Sequence, residues 1–144
     1  MLEPMLKYLQ DEQSSCVILK NKEVFYRSSF IGVKPLLKFM ESYKDEPVPS
    51  DLVLVDKIIG KAALLLSVKL GIREIYTPLA SLPALEAAQL HGVQLYAKIT
   101  VPYIVNRDKT GMCPLEESVL HTMDPEEAFL NIKAAITKLM AGKP

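Results

Sequence analysis

The sequence predicts a single α/β domain, a three-layer mixed sheet with an N-terminal hairpin, on two observations. Two β-rich runs, Cys16-Val17-Ile18-Leu19 and Val24-Phe25-Tyr26, are separated by Lys20-Asn21-Lys22-Glu23, a length and polarity that fit an antiparallel hairpin. Between Leu52 and Ala97, apolar strand-like runs then alternate with alanine- and leucine-rich helical segments over short connections. That alternation favours parallel strands joined by right-handed crossovers.

The elements follow in order. Leu2, Met5, Leu6 and Leu9 recur at helical spacing, predicting a short amphipathic helix within Met1 to Glu12 before the polar break at Asp11 to Ser15. After the hairpin, Gly32 to Met40 reads as a helix that starts near Gly32 to Lys34, because Pro35 is tolerated only in a first turn. Lys44 to Ser50 is charged and contains prolines, so it is a connecting loop. Leu52-Val53-Leu54-Val55 is a strand ending in Asp56, and Ile58 to Leu70 a buried helix stopped by Gly71. Glu74 to Thr77 is the next strand; Ser81 caps a helix that runs through Leu90 to Gly92, and Val93 to Ala97 is a further strand. Ile99 to Glu117 breaks the regularity, with a turn at Asp108-Lys109-Thr110-Gly111. Asp124-Pro125-Glu126-Glu127 then places aspartate, proline and glutamate where a helix start favours them. Phe129, Ile132, Ile136 and Leu139 make the apolar stripe of that last helix.

Composition narrows the functional classes. The chain has 144 residues, 49% of them hydrophobic, enough for one domain spanning 1–144 to bury a core unaided. Seventeen basic residues balance 17 acidic ones, and no long run of one sign suggests duplex nucleic acid or an anionic membrane as partner. The longest apolar stretch, Ala62 to Val68, is far short of the roughly 20 residues that cross a bilayer. Met1-Leu2-Glu3-Pro4-Met5 lacks the basic-then-apolar pattern of a secretion signal, so a cytoplasmic location is expected. Cys16 and Cys113 are too far apart for paired metal-ligand spacings and are expected to be reduced. Neither His91 nor His121 has a metal-ligand spacing, and no metal or cofactor is predicted.

Three motifs carry a resemblance. They are Ser29-Phe30-Ile31-Gly32-Val33-Lys34-Pro35-Leu36-Leu37, Asp56-Lys57-Ile58-Ile59-Gly60-Lys61-Ala62-Ala63, and Asn106-Arg107-Asp108-Lys109-Thr110-Gly111-Met112-Cys113-Pro114-Leu115-Glu116. In this order they resemble a small prokaryotic family of unknown function, number 1893, whose assignment implies a cytidine-deaminase-like fold. The resemblance also implies a homodimer. A zinc deaminase carries His-x-Glu at the helix after its first hairpin and Pro-Cys-x-x-Cys at the helix after its third strand. Here Gly32-Val33-Lys34 and Asp56 to Gly60 stand in those places. Without imidazole or thiolate ligands, zinc-dependent deamination by the usual mechanism is not expected.

The implied fold leaves two helix N-termini with unpaired N–H groups where the metal would sit. Lys34, Lys57 and Lys61 lie near those ends, and Gly32 and Gly60 allow close backbone approach, so a bound nucleotide derivative or another small anion is expected there. Asp56, at the end of an apolar strand, either caps the next helix or acts as a functional carboxylate. Asn106 and Arg107, in the irregular segment, suit hydroxyl and phosphate contacts, with an exposed surface turn as the alternative. Tyr103 is placed to stack on a base. Cys113, before Pro114, is either a nucleophile favoured by Lys109 and Arg107 or a packed, inert thiol. Glu116 is either an acid/base group or a carboxylate favoured by the dipole of its own helix. Three readings follow: a metal-free nucleotide-binding domain, a transferase or hydrolase using Cys113, Asp56 or Glu116, and a protein-interaction module.

Overall fold

The computed structural model describes residues 2–10, 14–106 and 109–141. The predicted hairpin is formed by β1 (Cys16–Lys20) and β2 (Glu23–Ser28). They are antiparallel from Cys16↔Ser28 to Lys20↔Glu23, with an irregularity after Ile18. The turn is Asn21-Lys22, with φ of 53° and 67°; two left-handed residues match the twist of paired strands, and asparagine tolerates that region well. β3 (Leu52–Asp56) lies antiparallel to β1 on its other side.

From β3 onward the sheet is parallel. β5 (Glu74–Ser81) pairs with β3 through Glu74 to Tyr76, and β6 (Gln94–Val101) pairs with β5 from end to end. β4 (Ile58–Ile59) pairs with Leu79 and Ala80 of β5. Because β6 occupies the other edge of β5 throughout, β4 continues the slot of β3 after a break at Lys57. This corrects the sequence expectation that Ile58 already belongs to a helix. It also explains why β5 outruns its predicted end. Pro78 has no N–H to donate, and it falls between the β3 and β4 pairings, where no ladder bond is required.

The helices are α1 (Leu2–Leu6), continued by a 3-10 turn (Lys7–Leu9), α2 (Lys34–Ser42), α3 (Lys61–Lys69), α4 (Leu82–His91), α5 (Pro114–Ser118) and α6 (Pro125–Ala141). Strand side chains alternate between faces, and the two faces are covered unequally. Ile18, Leu54 and Ile75 meet the core under α2, α3 and α4. Val17, Leu19, Val55 and Tyr76 lie on the other face, against Leu9 and the apolar side of the N-terminal helix, Leu2, Met5 and Leu6.

α3 is enclosed: every residue from Lys61 to Ser67 is buried. A helix apolar all round has no solvent stripe to keep, and Leu64, Leu65 and Leu66 each contribute about 1.5–3 kcal/mol of transfer free energy. Ser81 caps α4 as the sequence predicts, its Oγ accepting from the Ala84 amide at 3.1 Å, and Gly92 ends that helix at φ 69°. Asp124 caps α6, its Oδ2 accepting from the Glu127 amide at 3.2 Å. No helix among the described residues is long and apolar enough to cross a membrane.

Candidate functional site

Beyond the carboxyl ends of β4 and β5, the chain turns into α3 at Gly60-Lys61, while the irregular segment folds back over that end through α5. Ligands of parallel α/β sheets bind beyond strand C-termini, and this is that end of the sheet. The α3 amides there are already paired. Glu116 Oε1 accepts from the Lys61 amide at 2.7 Å and Oε2 from the Ala62 amide at 2.8 Å. A carboxylate suits the positive end of a helix, and this one comes from another helix. Gly60, the extended N-cap, faces the same carboxylate: any Cβ there would collide with it. The dipole reading of Glu116 therefore applies to α3 rather than to α5, and α3 is capped by Glu116 rather than by Asp56.

Next to this cap lies a pocket of about 200 Å³, lined by Lys61, Glu86, Tyr103, Met112, Glu116 and Leu120 among others. Lys61 is buried along its stem, and its Nζ donates to the Leu120 carbonyl at 3.3 Å. Desolvation pulls its ammonium below the usual lysine range, opposed by Glu116 and Glu86. Burial pushes the Glu116 carboxyl up, opposed by the Ala62 and Lys61 amides and the Lys61 ammonium. The pocket thus offers one cation, the carboxylate of Glu86 as an acceptor, the exposed ring of Tyr103, and methionine and leucine walls. Sequence reasoning named Lys61, Glu116 and Tyr103 but not Glu86, Met112 or Leu120. Glu86 lies on an ordinary helix surface in one dimension, and only the packing of α4 beside α3 brings it to the pocket.

Asp56 is placed elsewhere. It is fully buried, opposite Cys16 in the β1–β3 ladder, and Cys16 is opposite Ser28. One step beyond the Val55↔Tyr76 pair lies Thr77, also buried. Ser28, Cys16, Asp56 and Thr77 therefore form a polar row across the helix-covered face of the sheet. Neither Asp56 oxygen has a well-formed hydrogen bond, nor has Ser14 Oγ. Burial pushes the Asp56 carboxyl up to about 8, and the amides of Ile58 and Lys57 and the Cys16 thiol hold it back only in part. Burial also pushes the Cys16 thiol up, and Asp56 adds to that. Both shifts favour the protonated, neutral forms, and the thiol has the character of an inert core group.

Among the described residues, the remaining candidates do not line the Lys61 pocket. Lys57 is half-buried, and its amide donates to the Ser15 carbonyl at 3.1 Å. Gly32 adopts φ 81° just before α2, and the exposed Lys34 Nζ lies 4.0 Å from the centroid of the Phe30 ring. Asn106 closes its own turn, accepting from the Thr110 amide and donating to Thr110 Oγ1, both at 3.0 Å. Cys113 is half-buried at the N-cap of α5, its amide donating to the Ile104 carbonyl at 2.9 Å. Arg107 and Asp108 lie outside the described residues. Among the described residues, no three His, Cys, Asp or Glu side chains are grouped to hold a metal ion.

Comparison with known proteins fits this architecture to a family. A family model described as a domain of unknown function, DUF1893, matches residues 4–136. The chain belongs to the DUF1893 family. The crystal structure of a DUF1893 family protein from Thermotoga maritima is similar at a TM-score of 0.77 and 27% identity, covering 95% of this chain and 88% of that one. No curated protein matches. The DUF1893 match spans both halves of the site, the Gly60-Lys61 turn and the Glu116 carboxylate that caps it.

Proposed function

We propose that this DUF1893 domain binds a small nucleotide-derived anion, without zinc, in the pocket beside the α3 N-terminus, on a cytidine-deaminase-like fold. The observation that carries the reading is Lys61: a lysine desolvated at the carboxyl end of parallel strands, directed toward a pocket rather than into bulk water. In this reading Lys61 meets the phosphate or carboxylate of the ligand, Glu86 accepts from an N–H or O–H group, and Tyr103 stacks on a ring. Glu116 holds the α3 amides and so shapes the site instead of reacting. A pocket of about 200 Å³ is smaller than the sites that take drug-sized ligands; it accepts one ring or one anionic group, with the rest of the ligand at its mouth. The antiparallel hairpin leading into parallel strands supports the fold likeness.

The test is the intact mass of freshly purified protein under native and denaturing conditions, followed by calorimetric titration with nucleoside mono- and diphosphates. A nucleotide mass released on denaturation is expected, with affinity lowered at least about tenfold in Lys61→Met and by added salt. A released zinc mass, or nucleotide affinity unchanged in Lys61→Met, overturns the reading.

A further inference from the structure

At the opposite end of the helical layer, the C-terminal turns of α2 and α3 and the middle of α6 enclose an open groove of about 560 Å³, larger than the Lys61 pocket. Its floor is apolar: Leu37, Met40, Val48, Leu70, Phe129 and Ile136. The apolar stripe of α6 explains why this surface is left over. Ile132 is fully buried, Phe129 and Ile136 are half-buried, and Leu139 is 45% exposed. α3 satisfies only one edge of the stripe.

The rim is cationic. Lys44, Lys69 and Lys133 line it, against Glu41 alone. The ammonium groups of Lys69 and Lys133 lie 5.0 and 5.1 Å from the centroid of the Phe129 ring. Lys69 meets Glu126 at 2.5 Å, and Lys44 meets Glu41 at 3.4 Å in an exposed pair. A pair of that kind is worth about 0–1 kcal/mol and exchanges readily for another carboxylate. Lys133 has no carboxylate partner among the described residues.

We propose that this groove docks an acidic amphipathic helix of a partner protein. The trough is open to solvent and bounded by α2, α3 and α6. α6 presents Phe129, Lys133, Ile136 and Thr137 along it, about 12 Å of helix, close to the length spanned by the i to i+7 anchors of a helix laid in a groove. Glutamates flanking those anchors meet Lys44 and Lys133, so charge selects the partner and apolar burial holds it. The site is independent of the Lys61 pocket, which lies at the other end of α3.

Fluorescence anisotropy on the full chain tests this. The probe is a labelled synthetic peptide of about four helical turns, with leucines at the anchor spacing and glutamates beside them. Two controls are the same peptide with lysine for glutamate and a scramble of equal composition. Saturable binding of the acidic peptide is expected, at least about tenfold tighter than either control. Lys133→Glu, an exposed change that leaves the core intact, and Ile136→Asp should each weaken it by about tenfold or more. Lys133→Glu should also gain affinity for the lysine peptide, which a merely unfolded variant would not do. Absent or non-saturable binding, equal affinity for all three peptides, or indifference to both substitutions overturns the proposal. So does a concentration-dependent dimer abolished by Ile136→Asp, which would put a second copy in the groove, or displacement of the acidic peptide by a simple acyl carboxylate.

Discussion

Asp56 shows how much one buried group can impose on the whole chain. Its carboxyl is raised from 3.8 to about 8 in the fold, so between those values the folded state holds a proton that the unfolded state has released. Raising pH through that window favours unfolding: the group is least costly below about 3.8, and stability is lost progressively until about 8, with a ceiling of about 1.4 kcal/mol per pH unit. Urea unfolding from about pH 5 to about pH 8 should show that decline, and Asp56→Asn, which cannot ionise, should flatten it and be the more stable protein at the upper end. A second residue-scale prediction concerns the α3 cap. Glu116→Ala strands two buried amides and should cost about 3 kcal/mol. Gly60→Ala should also destabilise, because its Cβ meets the same carboxylate. In the Glu116→Ala background that penalty should shrink by at least about 1 kcal/mol, as read from a double-mutant cycle of unfolding free energies.

At the scale of elements, local chemistry and tertiary pairing contributed in different places. Ser81 was legible as a helix cap because the cap is local: a hydroxyl that accepts from an amide three residues on. Its Oγ is the partner of the Ala84 amide, and Ser81→Ala should cost about 1 kcal/mol in denaturant unfolding without changing the m-value. The start of α3 was not legible. Ile58 and Ile59 look helical beside an alanine- and leucine-rich run, and only pairing with Leu79 and Ala80 makes them a strand. β5 likewise runs past Thr77, the end the sequence predicts, because Leu79 and Ala80 pair with β4 while Pro78 occupies the gap between its two partners.

At the scale of the molecule, β1, β3 and β5 are flanked on both sides, while β2, β6 and the short β4 each pair on one side only. Native-state hydrogen exchange should therefore find the slowest amides in β1, β3 and the first half of β5, and faster exchange along the outer sides of β2 and β6. Equal protection of edge and centre strands would contradict this order. The same arrangement sets the two functional proposals apart, with the Lys61 pocket at the N-terminus of α3 and the lysine-rimmed groove at its C-terminus.

The sequence by itself determined the hairpin, the alternation of strand and helix, the Ser81 and Asp124 caps and the three motifs of DUF1893, because each depends on residues within a few positions of one another. Tertiary structure decided what those motifs do. Glu116 caps a helix that begins 55 residues earlier, Asp56 is sealed into a polar row across four strands, and Glu86 reaches the Lys61 pocket from a neighbouring helix. Hydrogen bonding at a helix end, desolvation of a carboxyl and the enclosure of a pocket are all set by distant segments. Spacing along the chain carries no record of them.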